Sequence, residues 1–174
     1  MKKRLYVDFH VLQTVPPSCI NRDDTGSPKT AIYGGVTRAR VSSQAWKHAM
    51  RQAFVEESLL DEEDVGKRTK KVTELVEKEI AALAPEKDAA KLAKKTLDNA
   101  GIKNDEKGTK ALFFISQAQI KALATLAVAD DIEDKKAYKE ALQKALRKNP
   151  SVDIALFGRM VADDPSLNFD AAAQ

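Results

Sequence analysis

The chain has 174 residues, 43% of them hydrophobic and 32% charged, with a formal net charge of +3. Leu, Ile, Val and Phe supply 41 residues and Ala another 26, which is enough apolar side chain to exclude wholesale disorder, and the length suits one domain or a domain with a large insertion. A single Cys19 excludes an internal disulfide, one Cys with two His excludes a four-ligand structural zinc site, and no apolar run approaches the ~20 residues of a membrane span, so a soluble, cytoplasmic protein with no membrane contact is expected.

In chain order, Leu5, Val7, Phe9 and Val11 alternate with Tyr6, Asp8 and His10, a period of two that predicts a half-buried strand ended by Pro16-Pro17. Residues 18–37 show no sustained periodicity and contain Gly26, Pro28, Gly34 and Gly35, so they read as a long and therefore functional loop. Arg38 to Val41 suit a short extended piece. Ser42 or Ser43 then offers an N-cap hydroxyl to a helix whose apolar face is Trp46, Ala49, Met50, Ala53 and Phe54. Lys47 and Arg51 lie together on another face of that helix, with Gln44 one turn earlier.

A different composition begins at Asp61-Glu62-Glu63-Asp64. Helical spacing runs through Val72, Leu75, Val76, Ile80 and Leu83, and again through Ala89, Leu92, Ala93 and Leu97 with Gly101 as a C-terminal stop. Leu112 to Ile115 suit a short strand. Ser116 caps a helix with Ile120, Leu123, Leu126 and Ala127 inward, and a last helix carries Tyr138, Leu142, Ala145 and Leu146 up to Pro150. Residues 60–149 thus read as a helical insertion. Beyond it, Val152, Ile154 and Leu156 alternate as a second strand ending at Gly158-Arg159-Met160, Asp163-Asp164-Pro165 makes a turn, and Leu167 to Phe169 begin another strand.

The net charge hides an asymmetry. Residues 1–55 carry nine bases against three acids, residues 56–149 are balanced, and residues 150–174 carry one base against four acids. From Thr25 to Val55 there is no acid, against Lys29, Arg38, Arg40, Lys47 and Arg51. Such an excess either attracts a polyanion or is plain solvated surface. Arg38, Arg40, Ser42, Ser43, Gln44, Lys47 and Arg51 combine charge, hydroxyls and a helix start, all suited to phosphate oxygens. With few aromatics among them, backbone binding fits better than base stacking.

Other constellations are weaker. His10 and His48 form a general acid–base pair for RNA cleavage or are two structural histidines, since no spacing rule links them. Asp23 and Asp24 bind Mg²⁺ beside phosphates or accept hydrogen bonds from Asn21, Arg22 or loop amides. Cys19 has no neighbouring base, and Gly34-Gly35 is not followed by the Lys-Ser/Thr of a phosphate loop.

Taken in order, Asp8-Phe9-His10-Val11-Leu12, Pro17-Ser18-Cys19-Ile20-Asn21-Arg22-Asp23-Asp24, Ala31-Ile32-Tyr33-Gly34-Gly35, Arg40-Val41-Ser42-Ser43-Gln44, Lys47, Ala49-Met50-Arg51 and the distant Val152-Asp153-Ile154-Ala155-Leu156-Phe157-Gly158-Arg159-Met160 resemble the repeated backbone subunit of the type I-E CRISPR Cascade complex, the CasC family. The resemblance implies an α+β fold: a partial RRM-like (ferredoxin-like) palm over 1–59, a helical fingers insertion over 60–149, and a return to the palm over 150–174. It covers the first half of a family member, so further palm strands and a thumb are expected after Gln174. It implies a non-catalytic, cofactor-free ribonucleoprotein subunit of antiviral defense. Copies of this subunit and other Cascade subunits would assemble along a CRISPR RNA and present it to target DNA. Ser42, Gln44, Lys47 and Arg51 match the palm region that grips the guide, and Lys29 a basic position in the neighbouring loop. Met160 matches an apolar residue near displaced guide bases, where a thioether can wedge into a base step, or else it is core packing. The alternative is a metal-dependent ribonuclease like type III backbone subunits, using Asp23 or Asp24.

Overall fold

The computed structural model describes residues 5–105, 108–129, 134–161 and 164–173. It has three two-stranded sheets and six α-helices among those residues. The chain forms two compact units, Met1–Trp46 and Lys47–Gln174.

In the first unit, residues 5–16 have no regular structure, so the strand expected over Leu5–Val11 is not formed. Its apolar side chains are exposed, Leu5 at 90% and Phe9 at 88%. The physical reason is the lack of a pairing partner. An isolated strand leaves its amides and carbonyls unsatisfied, and no described segment forms a ladder with it. The loop expected over 18–37 instead contains a β-hairpin, β1 (Thr30–Tyr33) with β2 (Val36–Ala39), in antiparallel register from Thr30↔Ala39 to Tyr33↔Val36. Gly34 and Gly35 form its two-residue turn, both with positive φ (65° and 78°), a conformation that the primed hairpin turns demand and that glycine adopts without steric cost. Helix α1 (Ser43–Glu56) follows, as its serine cap and apolar spacing predict. Trp46 and Met50 on that spacing remain about half exposed.

In the second unit, β3 (Lys67–Thr69) leads to α2 (Val72–Leu83) and α3 (Ala89–Ala100). The short strands β4 (Asn104–Asp105) and β5 (Gly108–Thr109) pair with each other, and β6 (Phe113–Ile115) pairs antiparallel with β3. Then come α4 (Gln117–Val128) and α5 (Lys135–Arg147). The four helices pack with α2 on α3 and α4, and α5 on the same two. Their inward stripes, Val72, Val76 and Ile80, then Ala93 and Leu97, Ile120 and Leu123, Leu142 and Leu146, form one core with Phe113 and Ile115 of β6. Each fully buried Leu or Ile contributes about 1.5–3 kcal/mol. Local signals fix the ends: Asp88 accepts from Lys91 N, Gly101 takes the left-handed C-cap, and Ser116 with Gln119 makes a reciprocal capping box.

The strand expected at Val152–Leu156 is a helix, α6 (Val152–Phe157). Six residues are too few to separate a period of two from one of 3.6. What decides is burial of Ile154 and Phe157 at i and i+3, with the Asp153 carboxylate accepting from Ser151 Oγ (2.6 Å) and from the amides of Gly66 (2.9 Å) and Ile154 (3.0 Å). Among the described residues, the strand expected from Leu167 is a 3₁₀ turn over Pro165–Leu167 followed by one bridge, Arg159↔Phe169, because Asp164 accepts from Ser166 N and starts the turn. Asp163, of the expected turn, lies outside the described residues.

Candidate nucleic-acid interface

The acid-free stretch is organised by Asn21. Its carbonyl accepts from Lys29 N (2.8 Å), and its side-chain Oδ1 accepts from Ser42 N (2.9 Å). Lys29 O in turn accepts from Arg40 N (2.9 Å). These three bonds tie the two ends of the hairpin together and place Lys29 beside Arg40, on a shallow cleft of about 330 Å³ that Asp23, Pro28 and Thr30 also line. Sequence reasoning alone does not mark Asn21 as a site residue. The available signal was an Asn with a bonding side chain just ahead of a Gly- and Pro-bearing loop.

Asp23 belongs to that loop. Its Oδ1 accepts from Thr25 Oγ1 (2.7 Å), Thr25 N (2.9 Å) and Ser27 N (2.9 Å). The Thr25 hydroxyl is the main reason its carboxyl sits below the usual carboxylate value; slight burial opposes this, and the Ser27 and Thr25 amides and the Lys29 charge add to it. Of the readings left open for this residue, hydrogen bonding to loop amides is what its oxygen does here. Arg22 Nη1 donates to Gly26 O (2.7 Å), closing the same loop. Cys19 is half-buried, with its thiol toward Asn21 O, and Asp8, His10, Asp24 and His48 are exposed. No group of three or more His, Cys, Asp or Glu is arranged to hold a metal among the described residues.

Arg38 is exposed on β2 and donates from Nε to Tyr33 O (3.0 Å), across the hairpin turn. Ser42 is buried, and its Oγ accepts from Ala45 N (3.3 Å), so it caps α1. Ser43 and Gln44 are exposed in the first turn of α1, which contains no acid. The unpaired amides of such a turn favour an anion.

In the second unit, Lys47 is half-buried. Arg51 is held internally. Its guanidinium lies over the rings of Phe157 (4.9 Å) and Phe114 (5.2 Å), and Nε is 3.9 Å from Asp153 Oδ2. Burial pushes its pKa down, Asp153 pulls it back up, and the nearby Arg68 pushes it down again. Thus the spacing that puts Lys47 and Arg51 on one helix face does not give them the same surroundings. Met160 is 84% exposed, beside a shallow cleft lined by Gly158, Asn168, Phe169 and Asp170, so of its two readings core packing does not apply. Its sequence neighbour Arg159 is 4% exposed: the guanidinium donates to Leu167 O (3.2 and 2.9 Å), Phe114 O (3.1 Å), Gln119 Oε1 (3.2 Å) and Leu146 O (2.9 Å), over the Phe113 ring. Nothing in the sequence marks this lone base of an acidic tail as buried.

No helix of the described residues is long and apolar enough to cross a membrane. No curated protein matches the chain. Two solved structures resemble it. One titled "CRISPR RNA-guided surveillance complex" is 32% identical with a TM-score of 0.54, over 92% of this chain and 54% of that one. One titled "CRISPR RNA-guided surveillance complex, pre-nicking" is 30% identical with a TM-score of 0.53, over 89% and 47%. The chain therefore spans about half the length of these relatives. The family model described as CT1975-like protein matches residues 7–174, nearly the whole chain, and the chain accordingly belongs to the CT1975-like family, whose structural neighbours here are subunits of Cascade-type CRISPR surveillance complexes.

Proposed function

We propose that this chain is the guide-binding portion of a non-catalytic backbone subunit of a type I-E Cascade complex in the cytoplasm. It grips the phosphates of a CRISPR RNA, lines up with further copies and other Cascade subunits along it, and leaves the bases open to target DNA. The observation that carries this reading is the Asn21 clamp, which sets Lys29 and Arg40 side by side on a cleft whose acid, Asp23, is hydrogen-bonded to its own loop. Two cations on a shallow cleft suit successive phosphates, and contacts to phosphates carry no sequence information. Ser43 and Gln44 add a helix start, Lys47 a further charge and Arg38 an exposed base on the hairpin; Ser42 serves by capping, and Arg51 by bracing α1. Met160, exposed on a rigid support, is suited to enter a base step.

In this reading residues 1–59 and 150–174 belong to an RRM-like palm and 60–149 to the fingers. The absence of cleavage is part of the proposal: Asp23 spends one carboxylate oxygen on three loop donors. The test is binding of a CRISPR RNA to the full-length protein. Lys29→Ala and Arg40→Ala should each weaken binding to unrelated guides equally. Binding unchanged in both variants, or Mg²⁺-dependent cutting of bound RNA that vanishes in Asp23→Ala, would refute it.

A further inference from the structure

A second concentration of positive charge lies in the unit Lys47–Gln174, outside the Thr25–Trp46 stretch. Four of the five residues from Lys67 to Lys71 are basic, and Lys67, Arg68, Lys70 and Lys71 are all exposed. They sit on β3 and the turn after it. β3 pairs through Lys67↔Ile115, Arg68↔Phe114 and Thr69↔Phe113 with β6, whose three residues are buried. So β6 is the inner strand and β3 the outer edge of this two-stranded sheet.

The β4–β5 pair extends the charge. Thr109 donates from its amide to the Lys70 carbonyl (2.7 Å), and its hydroxyl donates to Ala111 O (2.7 Å). Lys110 N donates to Lys103 O (3.2 Å), prolonging the ladder by one step. Gly108, at φ +112°, is required here, since a Cβ would overlap the Lys70 carbonyl. The contact brings exposed Lys110 alongside Lys70 and Lys71 from a point about forty residues away in sequence. Among the described residues, Glu74 pairs with Lys71 at 3.2 Å in the open, and Asp105 stands on β4. Glu74 offsets the charge of Lys71 and leaves Lys67, Arg68, Lys70 and Lys110 to set the sign of the patch.

The geometry points to a second phosphate-binding surface, in which Lys67, Arg68, Lys70, Lys71 and Lys110 hold the sugar-phosphate backbone of a nucleic-acid strand without reading its sequence. An acidic protein partner is less favoured: interface centres are anchored by buried aromatics and arginines in apolar pockets, whereas the one large apolar side chain exposed beside Lys110 is Leu112. Short, flat and without aromatic side chains at its surface, the patch offers charge and nothing for bases to stack on.

This inference does not rest on the guide-binding reading, and its test separates the two. Full-length protein is titrated, over a range of salt, with a DNA duplex and an RNA single strand, neither related to any guide. The variant combines Lys67→Ala, Lys70→Ala and Lys110→Ala, all exposed, and a companion carries Arg at the same positions. The Ala variant should bind at least one probe tenfold or more weakly. Its slope of log affinity against log salt should fall by about 0.9 per lost contact for the duplex, or about 0.7 for the single strand, and the larger loss identifies the strand type. The Arg companion should keep the parent slope, and CRISPR RNA binding and the thermal midpoint should be unchanged. Parent-like affinity and slope on both probes would overturn the assignment. So would loss of CRISPR RNA binding with both probes unaffected, which would make the patch part of the guide surface.

Discussion

Replacing Arg159 with Met tests whether a buried cation with no carboxylate partner among the described residues is a structural keystone. Burial lowers its pKa from the ordinary arginine value to about 10, so it is charged at neutral pH. Each unit is worth about 1.4 kcal/mol, so the buried charge costs on the order of 3 kcal/mol. That cost is present at every pH below about 10. It is relieved only as pH rises from the folded value toward the ordinary arginine value, so this group contributes no pH dependence near neutrality. Five hydrogen bonds to four acceptors must outweigh it. In the variant, Leu146 O still accepts from Gln119 Nε2, and Gln119 Oε1 still accepts from Ser116 N. Leu167 O loses both guanidinium contacts and Phe114 O loses one. Breaking a buried charge-assisted network by removing one side of it costs about 3–5 kcal/mol. Arg159→Lys keeps the charge but offers neither the planar fork nor the stack on Phe113, and should lose nearly as much. Urea denaturation of the chain is the assay. A loss below about 1 kcal/mol for Arg159→Met would show that the desolvation cost cancels the network and that the keystone account is wrong.

Further outcomes follow from single contacts. Arg51→Lys should cost about 1–2 kcal/mol in the same assay, because an ammonium cannot lie flat against Phe114 and Phe157; a change within error would mean that Arg51 is not bracing α1. Met160→Ala should leave stability within about 0.5 kcal/mol of the parent while disturbing the spacing of guide bases; a loss of 2 kcal/mol or more would restore the core reading. The Asp23 carboxyl, titrated by NMR, should have its midpoint below 3.8, so its loop contribution is present above that pH and fades as pH falls through the lower folded value. Thr25→Val should raise the midpoint, and an unmoved midpoint would contradict the assignment of Thr25 as the main cause.

The helices from α2 to α5 were legible because each buries one side only: Val72, Val76 and Ile80 or Leu142 and Leu146 recur at helical spacing, with Ser116 and Gly101 marking ends. The strand misread at Val152–Leu156 shows the limit of periodicity in a six-residue window, where the Asp153 carboxylate, bonded to an amide 87 residues away at Gly66, settles the outcome. Leu5–Val11 has the right alternation, but a strand is a property of a pair, and pairing is not written in one segment. The basic stretch was visible as composition. Which of its members are committed internally was not, because Arg51 and Lys47 differ only through Phe114, Phe157 and Asp153, all distant in sequence.

The most direct test of the central claim is a salt titration of CRISPR RNA binding by the full-length protein carrying Lys29→Ala with Arg40→Ala, using two unrelated guides. Two lost single-strand phosphate contacts should lower the slope of log affinity against log salt by about 1.4, equally for both guides. An unchanged slope, or a loss confined to one guide, would contradict the assignment of the Asn21-clamped cleft as the guide-phosphate site.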